Sequence, residues 1–133
     1  MAKNLKKKIE LSNLLEQVET NLNSKEIISK LDKLHSRSKA HVIGITGAPG
    51  VGKSSMIDKL VKHIRKKNKS VGIIAIDPSS ERSGGALLGD RTRLMLDPSD
   101  NDVFVRSMAS KSFLGGISEL TYPSMVVMRA MFD

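Results

Sequence analysis

The sequence predicts an α/β domain built on a parallel sheet, and three observations carry that prediction. Short apolar runs at 41–46 (HVIGIT) and 71–76 (VGIIAI) alternate with stretches whose apolar residues recur every three or four positions. A glycine-rich turn at 47–54 joins the first run to the helical stretch after it. The chain has 133 residues, enough for one core and one site. Strands alternating with helices imply parallel pairing through crossovers.

Taken in order, Leu11, Leu14, Leu15, Val18, Leu22, Ile27, Ile28, Leu31 and Leu34 keep helical spacing. They predict two helices broken near 21–24, with Ser24 as N-cap of the second. Residues 1–40 are expected to form a helical arm packed on the domain or on a partner, and residues 41–133 the α/β domain. The run at 41–46 reads as a strand, and 53–67 as a helix through Met56, Leu60, Val61 and Ile64. A second strand at 71–76 closes on Asp77-Pro78. A Ser- and Gly-rich loop runs to Gly89, followed by a short helix expected at 90–96, a turn at 97–102 and a third strand at 103–105. Residues 115–131 read as helical, with Pro123 near a helix start or a kink.

Composition narrows the classes. With 39% hydrophobic and 27% charged residues the chain is globular in composition, and with 3% aromatics its core must be built from Ile, Leu, Val and Met. The absence of cysteine excludes disulfide frameworks, thiol nucleophiles and Cys-ligated zinc. The basic start lacks the apolar run of an export signal, and no apolar stretch is long enough to cross a bilayer, so a cytoplasmic protein is expected. Net charge is +8, gathered in Lys6, Lys7, Lys8 and in Lys62, Arg65, Lys66, Lys67 and Lys69. No aromatics are interleaved to stack bases, which favours solvated faces over a nucleic-acid surface. His35, His41 and His63 have no metal-site spacing.

The chemistry concentrates in Gly47-Ala48-Pro49-Gly50-Val51-Gly52-Lys53-Ser54, which fits G-x-x-x-x-G-K-[ST] at every fixed position and lies between an expected strand and an expected helix. Glycines let successive N–H groups point inward at phosphate oxygens, and the positive end of the following helix favours the same anion. In a P-loop, Lys53 reaches the β- and γ-phosphates of a purine nucleoside triphosphate, and the Ser54 hydroxyl ligates Mg2+. Thr46 and Ser55 flank the loop and support it. Lys53 is the leading catalytic candidate, and Gly47 to Ser55 the binding segment.

Magnesium on a triphosphate keeps waters that carboxylates must hold. Asp77, at the carboxyl end of the second strand, stands where ligands bind in open α/β sheets, although Asp-Pro-Ser is also an ordinary turn sequence. The loop at 78–92 has paired glycines and both charge signs, as suits a switch ordered by triphosphate and magnesium. In it Asp90 is either a second carboxylate or a helix cap, and Arg82 or Arg91 can offset phosphate charge.

The HVIGIT run leading into the P-loop, Asp77-Pro78-Ser79-Ser80, Ser83-Gly84-Gly85 through Leu88-Gly89-Asp90-Arg91-Thr92-Arg93, and Leu114-Gly115-Gly116 together resemble the methylmalonyl-CoA mutase-associated GTPases, also known as ArgK or LAO/AO transport kinases. The likeness runs from about residue 41 onward. It implies a P-loop NTPase sheet of the dimeric metal-delivery and signal-recognition type, GTP hydrolysis with Mg2+, and service as chaperone to an adenosylcobalamin-dependent mutase. By position it implies phosphate and magnesium roles for Lys53 and Ser54. For Asp77 and Asp90 it implies the magnesium site and first switch, with Asp90 also catalytic. The family continues into a Glu-Thr-Val-Gly-Val-Gly-Gln strand and an Asn-Lys-x-Asp motif that reads guanine, and residues 1–133 contain neither. The chain is therefore expected to be an N-terminal fragment with weak nucleotide affinity and little hydrolysis. The alternatives are a P-loop kinase acting on a small molecule or protein, and an inactive fragment that only docks a partner.

Overall fold

A computed structural model describes residues 2–77, 94, 96–97, 99–109, 117 and 119–133. Among them the chain forms α1 (Ala2–Asn21), α2 (Lys25–Arg37), α3 (Lys53–Arg65), β1 (Val71–Asp77), β2 (Val103–Ala109) and α4 (Thr121–Met131). It is a mixed α/β structure with a two-stranded parallel sheet, in register from Val71 opposite Val103 to Asp77 opposite Ala109.

The apolar spacing of the first two helices turns directly into the core. Leu11, Leu15 and Val18, at steps of four and three, put one face of α1 fully inside. They meet Ile27 of α2, Phe104 of β2, and Val127 and Met128 of α4, with Leu14, Leu22, Leu31, Leu34, Ile74, Met131 and Phe132 packed around them. The core thus lies between α1, α2, α4 and one face of the sheet. At the predicted break, Ser24 holds the N-cap position of α2 without a side-chain capping bond, and its carbonyl accepts from Ile28 N–H at 3.0 Å.

Polar contacts fix these layers. Arg106 on β2 forks onto Glu19 on α1, with Nη2 2.6 Å from both carboxylate oxygens and Nε 3.0 Å from one. Arg65, at the end of α3, reaches Asp100 at 2.8 Å and Asp102 at 3.1 Å, tying that helix to the turn before β2. In the same turn Asp97 Oδ1 accepts from the Ser99 N–H and hydroxyl, so Asp97 acts as a turn former.

Four expectations are corrected. Residues 41–46 form no strand: a strand exists only through a partner's ladder, and the backbone bond found there joins His41 N–H to Asp133 O at 3.3 Å. The strand expected at 103–105 runs on to Ala109, because Arg106 and Ser107 pair with β1 despite breaking the apolar run. Leu94 and Leu96, expected in a helix at 90–96, are not helical; residues 90–93 and 95 lie outside the described residues. The helix expected over 115–131 begins at Thr121, with Pro123 in its first turn, where a missing N–H costs no hydrogen bond. Among the described residues no helix is long and apolar enough to cross a membrane.

Candidate phosphate-binding loop

The glycine turn enters α3 with no residue to spare. Gly52 is the N-cap at φ 91° and ψ 17°, and Gly50 stands at φ 79°. A Cβ at either would meet nothing within 4 Å, so left-handed backbone, and not lack of room, is what requires glycine there. At Gly47 space matters as well: a Cβ would lie 3.3 Å from Val51 Cγ2 and 3.7 Å from Lys53 Cδ.

The first intrahelical bond of α3 runs from Met56 N–H to Gly52 O at 3.0 Å, so the N–H groups of Lys53, Ser54 and Ser55 precede the helical ladder. The first turn carries no acidic side chain. Lys53 arches back over the loop, its Nζ 2.7 Å from Gly47 O and 2.8 Å from Ala48 O. One short segment therefore concentrates an ammonium group, amide donors outside the helical ladder and the positive end of a helix, with no acidic side chain in that helix's first turn. That arrangement suits an anion.

Of the expected site residues, the structure gathers Gly47, Ala48, Pro49, Gly50, Val51, Gly52, Lys53, Ser54 and Ser55 in this loop and the start of α3. Asp77 occupies the carboxyl end of β1, the strand against which α3 packs. Asp90, Arg82, Arg91 and the rest of the expected switch at 78–92 lie outside the described residues. Among the described residues no three His, Cys, Asp or Glu side chains converge on a metal-sized space. An open cleft of about 640 Å³ lies elsewhere, between α1 and the start of β2, lined by Lys8, Ser12, Asn13, Asp97 and Phe104 among others. It shares no residue with the glycine loop.

Reading the sequence missed the residues that brace the loop's approach. Asp133 accepts at its carbonyl from His41 N–H and donates its own N–H to Ser70 O, both at 3.3 Å. Its carboxylate accepts from the Ser70 N–H and hydroxyl, each at 2.8 Å, and the Ser70 N–H foremost holds the Asp133 carboxyl below its ordinary value. No local pattern marks this clamp, since Asp133 and Ser70 are 63 positions apart.

Comparison with known proteins identifies the family. The family model described as methylmalonyl Co-A mutase-associated GTPase MeaB matches residues 10–133. A Pyrococcus horikoshii protein that carries a GTPase name is 47% identical over 107 residues, covering 80% of this chain and 33% of that protein. The fused isobutyryl-CoA mutase of Cupriavidus metallidurans is 38% identical over 112 residues, 82% of this chain and 10% of that protein. The mitochondrial methylmalonic aciduria type A homolog of Mus musculus is 35% identical over 85 residues, 64% of this chain and 20% of that protein. The chain thus spans about a third, or less, of the length of these relatives. With the family model covering the glycine loop, the sheet and all but the start of α1, the chain belongs to the methylmalonyl-CoA mutase-associated GTPase (MeaB) family.

Proposed function

We propose that residues 47–55 bind the phosphates of a guanine nucleoside triphosphate together with Mg2+, and that this segment serves GTP hydrolysis in a protein that assists an adenosylcobalamin-dependent mutase. The observation that carries the reading is the loop itself: left-handed Gly50 and Gly52, the unladdered N–H groups that open α3, and Lys53 poised over the turn. On binding, the Lys53 ammonium exchanges two neutral carbonyls for charged phosphate oxygens, a stronger class of hydrogen bond. The N–H groups of the turn orient the β-phosphate. Ser54, the next residue, offers its hydroxyl to the metal, and Asp77 holds metal-bound water from the end of β1.

Magnesium at such a site is carried mainly by the nucleotide's own phosphates, with one or two protein ligands. The donor set of Ser54 and Asp77 fits that demand without a dedicated cage. When bound, the metal neutralises charge that develops on the β–γ bridge, and the chain's part is to position and exclude. Asp90 is proposed as the further carboxylate of the first switch. A role in a cytoplasmic, homodimeric GTPase that protects and loads its mutase is proposed for the longer protein. Names of relatives support the mutase link, since one of them is itself a fused acyl-CoA mutase.

Equilibrium titration with a fluorescent GTP analogue, with and without Mg2+, tests the reading. Saturable binding that weakens when Mg2+ is withdrawn supports it. Binding indifferent to Mg2+, or equally strong with guanosine alone, contradicts it.

A further inference from the structure

Both strands begin at one end of the sheet, and that end collects positive charge that the fold leaves unspent. Lys8 Nζ lies 2.9 Å from Asp100 O, Arg65 reaches the Asp100 and Asp102 carboxylates, and Arg65 Nη1 lies 2.8 Å from Lys69 O. Lys7 Nζ lies 2.9 Å from Met131 O. The start of α1, the end of α3 and the end of α4 therefore share one bonded platform. Its carboxylates are already engaged, Asp97 by Ser99, Asp100 and Asp102 by Arg65, and Asp133 by Ser70. Carbonyls at the end of α3 are engaged too, by the N–H groups of Lys66, Lys67, Asn68 and Lys69, with Asn68 left-handed at φ 56°. Lys6, Lys66, Lys67 and Lys69 remain exposed, and none makes a salt bridge among the described residues. Between α1 and the start of β2 the same end opens into the cleft of about 640 Å³, lined by Ile9, Leu96, Val103 and Phe104 together with the polar Lys8 and Ser12 among others.

We propose that this end of the sheet docks an acidic segment of a partner protein, with one apolar side chain of that segment in the cleft and its carboxylates on Lys6, Lys66, Lys67 and Lys69. A concave site with an apolar lining and a polar rim takes an aliphatic or aromatic anchor. Ile9, 52% exposed at the cleft wall, is the surface that such an anchor covers. The ammonium groups around it supply the complementary charge, which steers encounter and fixes orientation. Phosphate polyanions fit less well. Nucleic acid and anionic membranes present negative charge uniformly, and Asp97, Asp100, Asp102 and Asp133 stand among the lysines to repel it. The exposed aromatic Tyr122 opens α4, at the other end of that helix from Asp133, so no exposed Phe, Tyr or Trp ring among the described residues stands here to stack a base. Helix α3 spans 13 residues, about 20 Å, and the phosphate loop lies at its far end, so docking leaves that loop open. The inference stands on charge and the cleft, independent of nucleotide binding.

The test titrates the chain with a fluorescent Glu-rich peptide carrying one central phenylalanine, at about 0.15 M ionic strength, where charges more than about 8 Å apart are largely screened. Saturable binding should weaken by about tenfold or more in Lys66→Glu/Lys67→Glu/Lys69→Glu. The same change of net charge on and beside α2, in Lys25→Glu/Lys33→Glu/Lys39→Glu, should alter it by less than about twofold. Ile9→Ser in the chain, or serine for phenylalanine in the peptide, should each weaken binding by about fivefold. Far-UV circular dichroism and urea midpoints confirm that the variants remain folded. Absence of saturable binding by the parent overturns the proposal, as does an equal loss in the two triple variants or an Ile9→Ser chain that binds like the parent. Tighter binding of a DNA duplex or of phosphatidylserine vesicles than of the peptide also overturns it, since the surface would then recognise phosphate.

Discussion

Gly72→Ala tests whether the end of α4 packs as tightly on β1 as the structure places it. A Cβ at position 72 would stand 2.8 Å from Met128 Cε and 2.8 Å from Phe132 Cδ2, with Phe132 Cε2 at 3.3 Å. The methionine tip can swing away at little cost. The ring cannot do so freely, because it stacks on Phe104 and carries the Lys7 ammonium 5.4 Å from its centroid. Overpacking of this kind costs about 1–3 kcal/mol, against a gain of up to about 1 kcal/mol for replacing glycine inside a strand. Taking the middle of both ranges, about 2 against about 0.75 kcal/mol, the net loss is about 1 kcal/mol, and with a urea m-value of about 1.5 kcal/mol/M the midpoint should fall by roughly 0.8 M. With one tyrosine and no tryptophan in the chain, far-UV circular dichroism is the suitable probe. Phe132→Ala should remove most of the added cost, so the double-mutant cycle shows strong coupling. A Gly72→Ala midpoint equal to or above that of the parent would refute the packing.

Three further outcomes follow from other parts of the structure. Leu15→Ala, at a fully buried position of α1, should cost about 2–5 kcal/mol and unfold the sheet and helices together; melting of α1 alone would show that the first helix is not part of this core. Ser124 is fully buried and its hydroxyl finds no partner among the described residues, so Ser124→Ala should raise stability by about 1 kcal/mol in urea unfolding, and a loss of similar size would reveal a hidden bond. The Arg65 hydrogen bond holds the Asp100 carboxyl below its ordinary value of 3.8. Because the folded pKa is the lower one, this stability is present above the ordinary value and is lost as pH falls below about 4. Asp100→Asn should therefore flatten the acid limb of stability against pH, and an unchanged acid limb would remove Arg65–Asp100 from the account.

Much of the fold was legible because the deciding signals are local. The break at 21–24, the core face Leu11, Leu15 and Val18, the strand read at 71–76 and the glycine loop all follow from spacing within a few residues. The exceptions each depend on something distant. Residues 41–46 have the composition of a strand, yet a strand requires a neighbour's backbone, and composition carries no information about where that neighbour is. Strand β2 outruns its apolar run because Arg106 is anchored by Glu19, 87 positions away. In the same way Asp133 and Ser70 join through the fold alone. For the site, Lys53 was identifiable from the motif, but its resting contact with the carbonyls of Gly47 and Ala48 was not, since that depends on the rotation of the turn.

The most direct test of the phosphate reading is Lys53→Ala against the parent chain, titrated with a fluorescent GTP analogue in Mg2+. A charge-assisted contact to phosphate is worth about 1.5–3 kcal/mol, so the variant should bind about ten- to a hundredfold more weakly while circular dichroism and the urea midpoint stay close to the parent's. Equal affinity in the two chains would contradict the assignment of residues 47–55 as the triphosphate site.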